Sequence, residues 1–436
     1  MIASIAERRG LAAAFRETLP LLQNASLVGF AEVMNRVTHV VTAIALARCL
    51  DIVEFGIAAA AITVHELTRM FVQNGLGSRI VAAAPEEVEN TARCIHRLNW
   101  WLGLSLAASQ VVTAAAVHFF WGSSQLALAI ALLAVVHVIY PLSMVQVFLA
   151  QREGRWRCVS GAIGAQAVVD NALTAGLVIF GAGLWAVILP KILVAPLWVF
   201  WHRTATPWTP RGHIRAGSYR KLMAYACQVL GVEMLASLRM HGDKALIGLL
   251  MGPAALGLYA FASNIGNSIT IGVSQCINAV LLPFLREGRD KGTLASSFTQ
   301  ALLSIVLPVV PVVALQGALA WWYVPAVFGD KWNDAIPLLV ILAPFSVVRP
   351  VIVATSQLLR ATDGTQTDFR LAALSTLLFF AGLACGSFQG LIGATAGACM
   401  GLAVGAGAGL WIAYRHLSRA AGGGTPPSAA SPPAHR

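Results

Sequence analysis

Charged side chains are scarce in this chain, and positive charge is almost absent from half of its loops. Only 11% of the 436 residues are Asp, Glu, Lys or Arg, while 57% are hydrophobic. Apolar stretches of about 20 residues, the length that crosses a bilayer, recur along the sequence. This composition excludes an ordinary soluble protein and predicts an all-α polytopic membrane protein.

Twelve apolar stretches can be read from the sequence. They lie roughly at 21–47, 54–76, 99–120, 125–150, 158–180, 184–202, 222–250, 254–285, 295–321, 334–359, 367–387 and 390–414. The N-terminal segment carries Arg8, Arg9 and Arg16, which suggests that it lies in the cytoplasm. With that choice, the loops on the opposite side hold only Arg48 and Lys331. The positive-inside rule predicts this asymmetry, so we expect about twelve transmembrane helices and two cytoplasmic termini.

Sites for metals, nucleotides and covalent catalysis are also missing from the sequence. The seven cysteines are widely scattered, with no CxxC pair and no histidine at ligand spacing. No nucleotide-binding loop or nucleophile constellation appears, and no loop is long enough for a catalytic domain. We therefore expect no enzyme activity and no cofactor. The formal net charge of +11 follows from the loop bias, so nucleic acid is not an expected partner.

The longest interior polar loop divides the twelve stretches six and six, and a weak internal repeat supports this division. A shift of 201 residues places Glu32 on Glu233 and aligns Cys49–Gly56 with Leu250–Gly257 without a gap. Repeats of this kind are common in transporters. We therefore expect two pseudo-symmetric six-helix lobes. The predicted organisation is a cytoplasmic amphipathic N-terminus (1–20), an N-lobe (21–202), a cytoplasmic inter-lobe loop (203–221), a C-lobe (222–416) and a disordered cytoplasmic tail (417–436).

The last apolar stretch carries glycine at every fourth position. These residues are Gly393, Gly397, Gly401, Gly405 and Gly409. Small residues at this spacing lie on one face of a helix and allow a second helix to approach closely. We therefore expect a packing surface here rather than a nucleotide-binding loop.

Five short motifs resemble those of a known family, in the same order along the chain. They are ARCLDIVEFG at 47–56, NGLGS at 74–78, QRE at 151–153, the pattern from Asp243-Lys244 to Tyr259, and FGDKW at 328–332. They resemble the segments ARxLxxxEFG, DLGLG, QRE, DKxxIGxxxGxxxLGxY and FGxKW of bacterial polysaccharide flippases. These are the Wzx-like members of the multidrug/oligosaccharidyl-lipid/polysaccharide exporter superfamily. In the second motif, Asn74 stands where the family commonly has Asp.

The resemblance implies an architecture and a substrate. In the family, two six-helix lobes form a V-shaped cavity with alternating access. The expected function is translocation of a lipid-linked oligosaccharide, carried on undecaprenyl pyrophosphate, across the inner membrane for polysaccharide biosynthesis. The bilayer and this lipid are the expected partners, and the polysaccharide polymerase and chain-length machinery are further candidates.

Polar side chains recur at helical spacing inside four of the stretches, at matched places in the two lobes. Stretch 1 carries Glu32, Asn35, Arg36 and His39; stretch 2 carries His65, Glu66, Arg69 and Gln73; stretch 7 carries Glu233, Ser237, His241 and Lys244, with Arg239 and Asp243 on another side; stretch 8 carries Asn264, Asn267, Ser268, Ser274, Gln275 and Asn278. Ionisable groups at membrane depth are costly and usually face a cavity or a partner. We therefore expect these stripes to line an aqueous cavity between the lobes.

Cations and amides within the predicted spans are the predicted substrate ligands, because they suit phosphates and sugar hydroxyls. The candidates are Arg36, Arg69, Lys191, Arg239, Lys244, Arg349, Asn264, Asn267, Gln275 and Asn278. The candidate ion-coupling carboxylates are Glu32, Glu66, Asp170, Glu233 and Asp243.

The same charges also admit a structural interpretation. Glu32–Arg36, Glu66–Arg69 and Arg239–Asp243 are spaced for ion pairs within one helix. If these three pairs form, Lys191, Lys244 and Arg349 are left without an obvious local acid, which makes them the stronger ligand candidates. Asp170 with Gln166 and Asn171 fits a cation site and a helix–helix hydrogen bond equally well, and His137 fits a packed helix residue better than a proton relay.

Two other functions remain open. One is an ion-coupled multidrug exporter of the same fold, with Glu32 or Asp170 as the ion site. The other is a membrane-embedded glycan polymerase or acyltransferase. Unpaired charges that are mainly cationic favour an anionic lipid over cationic drugs.

Overall fold

The structure is a computed structural model that describes residues 35, 37–74, 76–210, 212, 218–362 and 364–422. In this part of the chain every regular element is a helix and no strand occurs, so the all-α prediction is confirmed. The predicted amphipathic N-terminus and the tail beyond Gly422 lie outside the described residues.

The described chain before residue 206 forms eight helices. They are α1 (Val37–Cys49), α2 (Ile52–Asn74), α3 (Ser78–Ala82), α4 (Val88–Trp121), α5 (Ser124–Ile139), α6 (Met144–Arg152), α7 (Trp156–Ile179) and α8 (Trp185–Ala205). Local chemistry sets their ends, as at the junction of α4 and α5. Gly122 ends α4 with a φ of +66°, a left-handed conformation that glycine adopts without strain. Ser123 then caps α5, because its hydroxyl accepts a hydrogen bond from the Leu126 backbone N–H at 3.4 Å.

The described chain after residue 217 forms seven more helices. They are α9 (Ser218–Asp290), α10 (Leu294–Ala318), α11 (Ala320–Tyr323), α12 (Ile336–Ser346), α13 (Val348–Ala361), α14 (Thr365–Ser387) and α15 (Gly390–Gly422). α9 is broken at Gly252, whose φ of +83° and ψ of 179° are not helical. Its two parts correspond to the predicted spans 222–250 and 254–285. α15 continues to Gly422, into the segment that the sequence predicts as a tail.

Nine helical segments of the described chain are long and apolar enough to cross a membrane. One of these segments, Ser237–Gly266, crosses the break in α9. The predicted spans 21–47 and 54–76 overlap α1 and α2 in the described residues. Large apolar side chains lie on the outside: Phe119, Phe180 and Phe388 are 81%, 89% and 92% exposed. Such a surface requires lipid to cover it. The chain is therefore a multi-pass membrane protein.

The described residues divide into two compact units. The first comprises residues up to Gly257 together with Val327–Gly329, and the second comprises Leu258–Ala326 and the residues from Asp330 onward. The first unit has two large cores, one around Ile130, Leu133 and Ile188 and the other around Ile95 and Met144, and a smaller one around Leu50, Val178 and Ala186. The lobe boundary that the sequence places at 203–221 stays a prediction.

In the second unit, α14 and α15 pack with their backbones in contact. A Cβ atom on Gly397 would lie 2.1 Å from the carbonyl oxygen of Gly382, and one on Gly401 would lie 2.1 Å from that of Leu378. No side chain fits at such distances, which explains the glycine at every fourth position. The predicted packing face is confirmed.

Several residues of the five family-like motifs make tertiary contacts. Trp332 of the FGDKW motif is fully buried and stacks on Phe261, with ring centroids 4.0 Å apart. Arg48 of the first motif donates a hydrogen bond from Nε to the carbonyl oxygen of Val327 at 2.7 Å. These motif residues therefore have structural roles.

Arg152 of the QRE motif binds the carbonyl groups at the end of α3. Its Nη1 atom lies 2.9 Å from the oxygen of Ile80, 3.0 Å from that of Val81 and 2.6 Å from that of Ala83. The last carbonyls of a helix have no partner within the helix, so a guanidinium group can satisfy them.

We expect Arg152→Gln to destabilise the protein. Hydrogen bonds to charged groups contribute about 1.5–3 kcal/mol, so the free energy of unfolding in detergent is expected to fall by roughly that amount. Arg286→Gln is the control, because Arg286 is exposed. Equal thermal stability of the two variants would show that the carbonyl contacts of Arg152 contribute nothing.

Candidate functional site

The polar stripe predicted on α2 forms an ion pair within the second predicted span. Arg69 donates to Oε2 of Glu66 from Nε at 2.9 Å and from Nη2 at 2.7 Å. The two side chains are 31% and 18% exposed. The predicted Glu66–Arg69 pair is therefore confirmed, and it lies in a mostly buried setting.

A second ion pair joins α7 and α8. The ammonium group of Lys191 contacts Oδ2 of Asp170 directly, with side chains 35% and 16% exposed. The expectation that Lys191 lacks an acidic partner is therefore wrong. The partner was missed because it lies on the neighbouring helix, 21 positions earlier. One signal could have identified it: α7 and α8 are joined by a short turn, and the two residues lie at similar distances from that turn.

Two histidines lie beside these ion pairs. His137 on α5 is completely buried, and its ring stacks on that of His65 with centroids 4.9 Å apart. Its Nε2 atom lies 2.8 Å from the hydroxyl oxygen of Thr68. The Nδ1 atoms of both histidines are buried and have no hydrogen-bond partner. His137 is therefore packed in the core, as the sequence favours, but it also presents an unused polar atom at membrane depth.

Amide side chains of α7 connect it to neighbouring helices. Asn171 Nδ2 lies 3.3 Å from both Asn35 Oδ1 and Thr38 Oγ1, and the hydroxyl of Thr42 donates to the Asn171 carbonyl at 2.9 Å. Gln166 donates to the Tyr140 hydroxyl at 3.1 Å. For these two amides the structure favours helix–helix hydrogen bonding over a cation site.

The first part of α9 completes this polar region. Ser237 donates to the carbonyl oxygen of Leu67 on α2 at 3.0 Å. His241, one turn further on, is close enough to interact electrostatically with Glu66, Arg69 and Lys244. Two residues of the predicted α9 stripe, Ser237 and His241, therefore lie close to α2.

Glu66, Arg69, Asp170 and Lys191 form one group, which we call the membrane charge cluster. Arg69 interacts electrostatically with Asp170, in addition to its pair with Glu66. The cluster holds two carboxylates and two cations, so its formal charge is zero. A balanced set is the form in which charges are tolerated in a low-dielectric environment. One acceptor is unused, since Oδ1 of Asp170 is buried without a hydrogen-bond partner.

For the other predicted site residues, the structure gives few contacts or none. Arg239 is exposed, whereas Asp243 is buried and accepts the Lys244 backbone N–H at 2.8 Å; the predicted Arg239–Asp243 ion pair stays a prediction. In the second unit, Arg349 on α13 lies near the buried Cys399, and Asn264 is exposed. The following lie outside the described residues or have side chains outside them: Glu32, Arg36, Glu233, Asn267, Gln275 and Asn278.

Metal binding finds no support in the described part of the chain. No group of three or more His, Cys, Asp or Glu side chains comes together there. What the membrane charge cluster can do is exchange partners. An anion that reaches Arg69 or Lys191 would compete with Glu66 or Asp170 for the same donors.

The sequence resembles proteins of polysaccharide biosynthesis. A family described as "Polysaccharide biosynthesis protein" matches residues 45–337. The teichuronic acid biosynthesis protein TuaB of Bacillus subtilis is 21% identical over 360 residues, which cover 78% of this chain and 74% of that protein. The lipopolysaccharide biosynthesis protein WzxC of Escherichia coli is 24% identical over 363 residues, which cover 81% and 72%.

Solved transporter structures share the fold. The lipid II flippase MurJ, in an inward closed conformation, aligns with a TM-score of 0.73 at 10% identity over 90% of this chain and 89% of MurJ. An inward-facing multidrug resistance transporter of the MATE family aligns with a TM-score of 0.69 at 14% identity, over 90% and 96%. At these identities the likeness concerns the fold alone.

Proposed function

The chain belongs to the polysaccharide biosynthesis protein family, and we propose that it is a flippase for a lipid-linked oligosaccharide in the bacterial inner membrane. The carrier lipid in this proposal is undecaprenyl pyrophosphate. The isoprenoid chain can stay in the bilayer during transport. The sugar and pyrophosphate head cannot cross hydrocarbon unaided, so the protein has to supply a polar path for it.

The observation that carries the proposal is the membrane charge cluster. An arginine or lysine at a helix centre costs about 2.5–3.5 kcal/mol on insertion scales, so two of them need a reason. Arg69 and Lys191 are each held by a carboxylate in the resting protein. A pyrophosphate would replace those carboxylates as the partner of the cations, because phosphate oxygens suit both types of donor.

The exchange provides a route to ion coupling. When phosphate takes the cations, Glu66 and Asp170 lose their partners in a low-dielectric environment. A carboxylate in that situation takes up a proton or a cation. Substrate binding and ion uptake are then linked at the same four residues. The protein alternates between a form open to one side and a form open to the other.

The remaining predicted ligands complete this proposal. Amides would hydrogen-bond the sugar hydroxyls, and further cations would follow the pyrophosphate along the path. Those candidates are Arg36, Arg239, Lys244, Arg349, Asn264, Asn267, Gln275 and Asn278, and the additional coupling carboxylates are Glu32, Glu233 and Asp243. We propose transport rather than catalysis, and we propose that polymerase and chain-length proteins receive the product.

Mass spectrometry of the lipids in a deletion strain tests the function. We expect complete oligosaccharide-lipid to accumulate on the cytoplasmic leaflet and surface polysaccharide to be lost, while the glycosyltransferases remain active. Complementation with the intact gene is the control. Full surface glycan without a second flippase, or accumulation of incomplete oligosaccharides only, would contradict the proposal.

An exporter of small amphipathic drugs is the second candidate, and the fold shared with a MATE transporter favours it. Overexpression would then confer drug resistance on a sensitive host. Resistance without any effect on polysaccharide would replace the flippase assignment.

Membrane orientation is part of the proposal, with both termini in the cytoplasm. In a background without native cysteines, we expect Gln125→Cys, Ala254→Cys and Asp330→Cys to react with an impermeant thiol reagent in intact cells. Glu153→Cys and Lys291→Cys should react only after the cells are permeabilised. All five positions are exposed. A reversed or mixed labelling pattern would contradict the orientation.

A further inference from the structure

A pocket of about 400 Å³ lies at the beginning of α4, away from the membrane charge cluster. Its lining comes from one face of α4 and from the chain after α8. The lining residues are Arg93, His96, Arg97, Trp100, Trp101, Pro210 and Gly212. The first five are spaced at i, i+3, i+4, i+7 and i+8, so a single helical face presents them all.

The pocket lies at the level of the membrane–water interface. The charged residues of α4 are Glu89, Arg93 and Arg97, and no Asp, Glu, Lys or Arg follows them before the helix ends at Trp121. Trp100 and Trp101 mark the transition, and Trp101 is 73% exposed. Tryptophan is enriched at this depth because its ring is apolar and its N–H is polar.

The pocket carries an excess of positive charge. Arg93 Nε lies 3.5 Å from Glu89 Oε1, and the Arg93 side chain is only 17% exposed. Arg97 is exposed and forms no ion pair with any described residue. Arg203 is close enough to interact electrostatically with His96. The lining therefore contains two guanidinium groups and no carboxylate, and Glu89 is the carboxylate that pairs with Arg93.

Neighbouring residues fix the walls of the pocket. Trp208 donates from Nε1 to Glu89 Oε2 at 3.0 Å, and its ring meets that of His96 edge-on at 5.6 Å. Gln146 donates to the Trp208 carbonyl at 3.1 Å. At Gly212, whose φ is +87°, a Cβ atom would lie 2.8 Å from Arg93 Nη1, so a larger residue would displace the end of that side chain. The carboxylate of Glu89 is thus engaged by both Arg93 and Trp208, which leaves Arg97 available to a ligand.

We propose that this pocket binds the phosphate group of an anionic membrane lipid, with Arg93 and Arg97 as its ligands and Trp101 against the first apolar atoms of the lipid. Arginine suits phosphate because its planar donors match two oxygens at once. The depth of the pocket allows the lipid tail to remain in the bilayer while the phosphate reaches the arginines. The proposal does not depend on the transport function.

Native mass spectrometry of the purified full-length protein tests this pocket. The probes are phosphatidylglycerol, farnesyl pyrophosphate, phosphatidylcholine and inorganic pyrophosphate. We expect the two anionic lipids to bind, and the Arg93→Gln/Arg97→Gln variant to bind them at least about tenfold more weakly, since a hydrogen bond to a charged group is worth that much or more. The control variant is Arg286→Gln/Arg370→Gln, which removes two exposed arginines far along the chain and should bind as the wild type does.

The probes also separate the sources of the phosphate. Preference for farnesyl pyrophosphate would identify an isoprenoid carrier as the ligand, and preference for phosphatidylglycerol a bulk phospholipid; both support the pocket. Equal binding of phosphatidylcholine, or inorganic pyrophosphate competing as well as the lipids do, would overturn it. Unchanged binding by the Arg93→Gln/Arg97→Gln variant would overturn it as well.

Discussion

Replacing Lys191 or Asp170 alone is expected to lower the amount of folded protein in the membrane about tenfold or more. Either change leaves one charge of a mostly buried pair without its partner. Breaking a buried pair from one side typically costs about 3–5 kcal/mol, most of which is the penalty of the orphaned charge. Lys191→Ala and Asp170→Asn are the single variants, and the yield of monodisperse protein in detergent is the measurement.

The double variant Asp170→Asn/Lys191→Gln distinguishes a structural pair from a ligand pair. Both side chains are then neutral and still able to hydrogen-bond, so the yield is expected to recover. Export is expected to stay below about a tenth of the wild-type rate, because the phosphate loses a charged donor and a neutral amide replaces it only in part. Recovery of both yield and export would show that the pair serves folding alone.

A lipid-facing position on the same helix provides the control. Leu193 is 59% exposed on α8, two residues after Lys191. Leu193→Ala should leave yield and export close to wild type. If Leu193→Ala lowers both as strongly as Lys191→Ala does, α8 is sensitive to any change and the charge argument fails.

Features that lie within one helix could be predicted from the sequence, whereas contacts between helices could not. The hydropathy pattern and the loop arginines were sufficient to predict an all-α membrane protein, and five motifs were sufficient to indicate the family. The Glu66–Arg69 pair and the glycine face of α15 were also predictable, because each lies within one helix and follows its period. Partners on different helices have no such signature, and the Lys191–Asp170 pair was missed for that reason.

The motifs illustrate a second limit. They indicated relatedness, but the resemblance alone gave no physical reason for each residue. The structure supplies one for Arg152, which binds three carbonyl groups, and for Trp332, which fills a core against Phe261. These roles concern stability. The family-like residues therefore say little about which sugar is carried, and the charges at membrane depth are the better guide to the substrate.

Corresponding residues of the two sequence repeats contact each other where α2 packs against α9. The 201-residue shift places Ile52 on Pro253 and Gly56 on Gly257. A Cβ atom on Gly56 would lie 1.8 Å from the carbonyl oxygen of Pro253, and one on Gly257 would lie 2.3 Å from that of Ile52. Ile52 lies four residues before Gly56, and Pro253 lies four residues before Gly257. Each glycine therefore contacts the residue that lies four positions before the corresponding glycine of the other repeat. Reciprocal contacts of this kind are what a two-fold relation produces.

We expect Gly56→Ala and Gly257→Ala to damage the protein strongly and to similar extents. Even one methyl group would force the two backbones apart, and overpacking of this kind costs about 1–3 kcal/mol or more. Yield in detergent and export should each fall about tenfold, since 1.4 kcal/mol corresponds to a factor of ten. Gly176→Ala on α7 is the control, because nothing lies within 4 Å of a Cβ atom there. If only one of the two glycines is sensitive, the contact is not reciprocal and the two-fold relation between the repeats fails at this point; if both tolerate alanine, the close approach of α2 and α9 is itself wrong.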